Sequence, residues 1–121
     1  SLLRRGAVLA MGSDWPVSTA DPLAQIEVAV TRVGAEDRSR PPFLPDEAIP
    51  LSAALAGFTS GTAYVNHDER DSGTLQVGKR ADVVVLDRDL FAGDADDAGP
   101  IADARVELTV ANGRVVHDRL G

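Results

Sequence analysis

The 121-residue sequence predicts an α+β chain, helical in its first half and β-stranded in its second. Three observations carry that expectation. Apolar residues recur at helical spacing after Asp21-Pro22 and again after Pro50, a β-branched run (ADVVVL) occupies residues 81–86, and Asn112-Gly113 stands between two short valine-containing runs. The change of character falls near Ser72, which divides the chain into residues 1–71 and 72–121.

Each element has a local cause. Residues 7–11 (AVLAM) are apolar without alternation, the pattern of a short strand buried on both faces in a parallel sheet, although a helical segment shows the same pattern. The run ends in Gly12-Ser13-Asp14, and the only tryptophan, Trp15, follows with Pro16. Asp21-Pro22 reads as a helix start, with Asp at the cap and Pro in the first turn, where its missing N–H costs nothing. Leu23, Ile26, Val30 and Val33 form one face of that helix, and Gly34 supplies a stop. Strand, loop and helix in this order make one βα unit.

Residues 35–45 are polar and contain Pro41, Pro42 and Pro45, so a connecting loop is expected. A second helix is expected over residues 50–58, with Leu51, Ala54, Leu55 and Phe58 on one face. Ser60-Gly61 breaks it, and residues 62–66 form one further short helix. Gly73 and Gly78 then punctuate the chain before the strand in residues 81–86. Residues 87–103 are acidic and poor in large apolar residues apart from Leu90, Phe91 and Ile101, which predicts a surface loop. In residues 105–111, Val106, Leu108 and Val110 face one way and Arg105, Glu107 and Thr109 the other. Asn112-Gly113 suits a type I′ turn, which needs positive φ at both residues, and Val115 and Val116 lie on the return strand.

Composition excludes several function classes. Aromatic residues are only 4%, so the core is expected to consist mainly of Val, Leu, Ala and Ile. Nineteen acidic against 12 basic residues give a net charge of −7, and the scattered arginines form no patch for phosphates, so nucleic acid is not an expected partner. The absence of cysteine rules out disulfides, cysteine-zinc sites and thiol nucleophiles. No stretch approaches the ~20 apolar residues of a membrane helix, so no membrane partner is expected. The start, Ser1-Leu2-Leu3-Arg4-Arg5, lacks a leader pattern and an initiator Met. The chain therefore reads as a piece of a longer protein, with the cytoplasm as its default location.

Few residues can carry chemistry. A carboxylate at the C-terminal end of a buried parallel strand stands where α/β sheets and barrels place their ligands, and there Asp14 could bind a divalent metal or move a proton. The alternative is a loop aspartate bonded to nearby backbone N–H groups, which spacing alone favours. Trp15 either walls a substrate pocket or packs on the following helix. His67 and His117 are 50 residues apart and read as surface or capping residues, since two lone histidines make no metal site. Ser13, Ser18, Ser52, Ser60 and Thr62 have no nearby histidine to activate them. Gly57, Gly61, Gly73 and Gly78 do not form a phosphate-cradling pattern, and the acidic residues 94–97 lack calcium-loop spacing.

Taken in order, GSDWPV, DPLAQIEVAVTR, LSAALAGFTSGTAYVNHDERDSGTLQVGKRADVVVLDRDLF and VELTVANGRVVHD resemble the C-terminal end of a metal-dependent amidohydrolase. The closer resemblance is to the YtcJ-like branch, which includes exoenzyme regulatory proteins of the AepA type. It implies the last βα unit of a (β/α)8 barrel plus the C-terminal part of a small β-sandwich. Residues 7–11 would be barrel strand eight, and Asp14 its terminal carboxylate, contacting the metal and shuttling a proton between attacking water and leaving group. In the strands after Gly73, Gly78 would make a turn, Asp82 would orient the chain, and the valines would fill the sandwich core. The implied cofactor is a divalent metal, expected to be zinc, and the implied substrate a small-molecule amide or cyclic amide. The family's other ligands (a His-x-His pair, a modified lysine or glutamate, further histidines) are not among these 121 residues, and catalytic zinc usually takes three protein ligands. The isolated chain is therefore expected to be inert, to hold no metal firmly, to need the rest of the barrel as its partner, and to associate as a homo-oligomer through unpaired strand edges. Two other readings stay open: a regulatory or interaction module without catalysis, and a small α+β domain in which GSDWPV is only a turn.

Overall fold

The helix expected after Asp21-Pro22 forms as α1, Pro22–Thr31, in the computed structural model, which describes residues 2–92 and 100–121. The Asp21 carboxylate caps it by accepting the Leu23 N–H at 2.9 Å. The helix ends at Thr31, three residues before Gly34. Arg32 takes a left-handed conformation (φ 61°), and its N–H reaches the Val28 carbonyl at 2.8 Å. Two further bonds hold Arg32 there. Its Nε donates to the Phe43 carbonyl at 3.0 Å and its own carbonyl accepts the Phe43 N–H at 2.8 Å, closing the proline-rich loop on itself.

The second helix, α2 (Leu51–Ala56), does not break at Ser60-Gly61. It widens into a π-helical turn, Gly57–Gly61, and continues as α3, Thr62–Val65. The glycines serve a close approach rather than a stop. A Cβ on Gly61 would lie 1.8 Å from the Leu9 carbonyl oxygen, and one on Gly57 would lie 2.8 Å from Met11 Cγ.

Ile26 of α1, Ala54 of α2 and Ile101 meet in the core, with Leu23, Val30, Leu55 and Phe58 packed around them. Ile101 corrects the expectation of a surface loop over residues 87–103. It is only 1% exposed, because the short 3-10 turn Ile101–Asp103 presses it into the α1–α2 seam while Asp103 stays in solvent. The acidic residues 94–97 lie outside the described residues.

Beside this core sits a buried charge. Glu27 is 3% exposed, and three donors meet its carboxylate: Arg38 Nε at 2.6 Å, Arg38 Nη2 at 3.1 Å and the Ala102 N–H at 2.8 Å. Arg38 also bonds Asp103 at 2.9 Å. The hydrogen bonds to Glu27 and then to Asp103 raise the guanidinium pKa above its ordinary value. Such a site is tolerable because every charge is paired and hydrogen-bonded.

The second half forms one antiparallel sheet in the order β1-β2-β3: Val83–Leu86, Val106–Ala111 and Arg114–Asp118. Val83 faces Val110, and Val110 faces Val115, with an irregularity in each ladder. The predicted hairpin turn is present, with φ of 48° at Asn112 and 77° at Gly113. Asp82 steadies it by accepting the Asn112 N–H at 2.6 Å. Gly78 (φ 95°) makes the earlier turn, and Lys79 Nζ donates to the Glu69 and Ser72 carbonyls at 2.6 and 3.0 Å. Arg80 then joins the two halves by pairing with Asp68 and, at 3.4 Å, with Asp82.

One expectation is corrected here. Residues 7–11 are not a strand: the three described strands pair only with one another, so a parallel strand has no neighbour, and Val8 is exposed. The three-stranded sheet has no second sheet against it among the described residues, and Val84, Val115 and Val116 are exposed. No helix among the described residues is long and apolar enough to cross a membrane.

Candidate active site

Residues 12–21 form a corner between two helical supports. On one side, the Met11 N–H donates to the Gly57 carbonyl at 3.0 Å, and the Met11 carbonyl accepts from Thr62 Oγ1 at 3.1 Å. On the other, Gln25 of α1 donates to Ser18 Oγ at 3.0 Å, and Ser18 donates to the Ser13 carbonyl at 3.1 Å. Between them Asp14 takes a left-handed conformation (φ 52°), which aspartate adopts more readily than most residues. Its carbonyl accepts the Val17 N–H at 2.9 Å, and Ser13 Oγ accepts the Trp15 N–H at 3.3 Å. The Trp15–Pro16 peptide bond is cis.

The Asp14 carboxylate is exposed, and among the described residues no hydrogen bond or ion pair engages it. The helix cap is Asp21, as expected from the sequence. Trp15 stands beside it, 67% exposed, and so does not pack into α1. The two histidines lie elsewhere. His67 follows α3 with φ 57°, its N–H on the Tyr64 carbonyl at 3.1 Å, and the His117 ring reaches the Val106 carbonyl at 3.1 Å across the sheet.

No group of three or more His, Asp or Glu side chains could hold a metal ion among the described residues. Asp14 offers one ligand, which does not amount to a catalytic metal site. An open cleft of about 870 Å³ runs between the helices and β1, lined by Leu23, Leu55, Phe58, Thr62, Arg80 and Val83 among others. Asp14 and Trp15 are not part of its lining.

Two groups escaped the sequence reading. Gly57 and Gly61, four residues apart inside a helical pattern, signal a helix face that another backbone approaches. Glu27 lies four residues after Leu23, on the apolar stripe of α1, where a carboxylate needs a buried partner.

Residues 1–117 match the profile of the amidohydrolase family. The chain belongs to that family. It is 31% identical over 119 residues to YtcJ of Bacillus subtilis (strain 168), a protein provisionally named an amidohydrolase, covering 98% of this chain and 22% of that one. It is 32% identical over 122 residues to the N-substituted formamide deformylase of Arthrobacter pascens, covering 100% of this chain and 21% of the relative. Against the protein LONG AFTER FAR-RED 3 of Arabidopsis thaliana, identity is 33% over 118 residues, covering 97% of this chain and 19% of the relative. This amidohydrolase chain thus spans about a fifth of the length of the curated relatives it matches. No solved structure matches it significantly. The resemblance to the YtcJ-like branch read from the motifs is borne out.

Proposed function

We propose that the chain is the closing part of a metal-dependent amidohydrolase that cleaves a C–N bond in a non-peptide amide or cyclic amide. In this reading residues 1–71 complete the barrel, residues 72–121 belong to the small sandwich, and the protein works in the cytoplasm. The observation that carries the reading is the family match across residues 1–117. The name of the Arthrobacter relative, a deformylase of N-substituted formamides, supports the bond type.

Asp14 is the residue this chain offers to the reaction. Its carboxylate is exposed, committed to no partner, and held on a corner fixed at both ends. Amide hydrolysis adds a water oxygen to the carbonyl carbon, and the nitrogen leaves only once it carries an extra proton. A carboxylate within reach of both takes the proton from the water and returns it to the nitrogen. Trp15, beside Asp14, forms an apolar wall against the substrate. The residues present do not complete a metal site, so the ion's remaining ligands come from the rest of the barrel.

Asp14→Asn in the full-length protein is expected to lower turnover of formamide and cyclic-amide substrates by about 10²–10⁴-fold with unchanged thermal unfolding. Unchanged turnover would remove Asp14 from the reaction. For the isolated chain, the missing metal ligands lead us to expect inactivity, and exposed Val84, Val115 and Val116 with the edges of β1 and β3, unpaired among the described residues, lead us to expect self-association. Light scattering at micromolar concentration checks this, and a monomer would contradict it.

A further inference from the structure

Residues 9–11 meet the helical run at its π turn, and both backbone polar groups of Met11 are bonded there. The Met11 N–H donates to the Gly57 carbonyl at 3.0 Å. Thr62 Oγ1 lies 2.7 Å from that same Gly57 carbonyl and 3.1 Å from the Met11 carbonyl, so its single hydrogen is shared between an acceptor on each segment, with the shorter contact to Gly57. The Leu9 carbonyl occupies the space a side chain on Gly61 would take. Turns of this width are rare in α-helices and concentrate at functional sites.

We propose that Thr62 is a positioning residue for Asp14: with Gly57 and Gly61 it forms a seat in the π turn that fixes residues 9–11 and thereby sets where the Asp14 carboxylate stands. The inference rests on reading Asp14 as the proton-transferring group. Met11 is three residues from Asp14, and the Ser13–Ser18–Gln25 chain holds the far side of the corner, so the seat is the corner's anchor on the near side. Without the hydroxyl, the Gly57 and Met11 carbonyls lose the hydrogen between them.

The test uses the full-length protein carrying Thr62→Val, which keeps the volume and removes the hydroxyl, and Thr62→Ser, which keeps the hydroxyl. Thr62→Val is expected to speed hydrogen exchange at the Met11 amide by about tenfold. It is also expected to lower kcat by about a hundredfold with KM unchanged, as a displacement of about 1 Å at a reacting group does. Thr62→Ser is expected to retain both properties. In an Asp14→Asn background, Thr62→Val is expected to cost nothing further, because the seat acts through Asp14. If Thr62→Val does not fold, Thr62→Ala is measured in the same way. Unchanged Met11 exchange in Thr62→Val overturns the seat while leaving Asp14's role intact. An equal loss of rate with and without Asp14 overturns the positioning role. Full turnover in Asp14→Asn alone overturns the reading of Asp14, and with it the role of Thr62 toward it.

Discussion

Gly61→Ala is expected to be among the most damaging single substitutions in the chain. Its methyl group would stand 1.8 Å from the Leu9 carbonyl oxygen, and a backbone atom cannot rotate away as a side chain can. Overpacking of this kind costs about 1–3 kcal/mol and occasionally more, whereas alanine gains only about 1 kcal/mol over glycine in a helix interior. The clash wins, and residues 7–11 leave the helix. Gly57→Ala is the control, because there the new methyl meets Met11 Cγ at 2.8 Å and Sδ at 2.9 Å, the movable part of a flexible thioether. Denaturant unfolding should rank Gly61→Ala well below Gly57→Ala. Equal stabilities would mean that residues 9–11 do not lie in the seat.

Arg38→Ala is expected to destabilise more than Glu27→Ala, although both break the same pair. Removing Glu27 leaves a guanidinium that is already 42% exposed and still bonded to Asp103. Removing Arg38 leaves a carboxylate in a site 3% exposed, with only the Ala102 N–H to hold it. Denaturant unfolding of the two variants at neutral pH checks the order, and equal stabilities would show that Glu27 is solvated once Arg38 is gone. Both variants keep the contribution of Asp87, whose carboxyl the Arg88 guanidinium and then the Arg105 N–H hold at about 2. That contribution is full above the unfolded pKa of about 3.9 and is lost only as pH falls toward 2.

The sequence made legible whatever depends on neighbouring residues. Asp21-Pro22 starts α1 because capping uses one side chain and the next turn, and Asn112-Gly113 makes the hairpin because positive φ is a property of those two residues. Residues 7–11 were misread because a strand exists only with a partner, and an apolar run carries no record of whether one is present. Ser60-Gly61 looked like a stop because glycine weakens helices, whereas its cause lies 52 residues away, at Leu9. Ile101 was hidden by its acidic surroundings, since one apolar side chain buried from a polar turn leaves no periodicity. Of the candidate site, Asp14 and Trp15 stood out in the sequence where an apolar run ends abruptly. Thr62 was not, because a single threonine in a helix looks the same whether or not its hydroxyl reaches another segment.

The bond between Thr62 and Met11 also bears on the order in which the chain folds. It closes a span of 51 residues, whereas the β2–β3 hairpin joins strands separated by two residues. A hairpin forms within about 1–10 μs, but a contact across so long a span must first overcome the entropy of closing it. The corner bearing Asp14 is thus expected to settle only after helices and sheet exist. On the proposed role of Asp14, refolding of the full-length protein is expected to restore turnover only after helical and sheet signals.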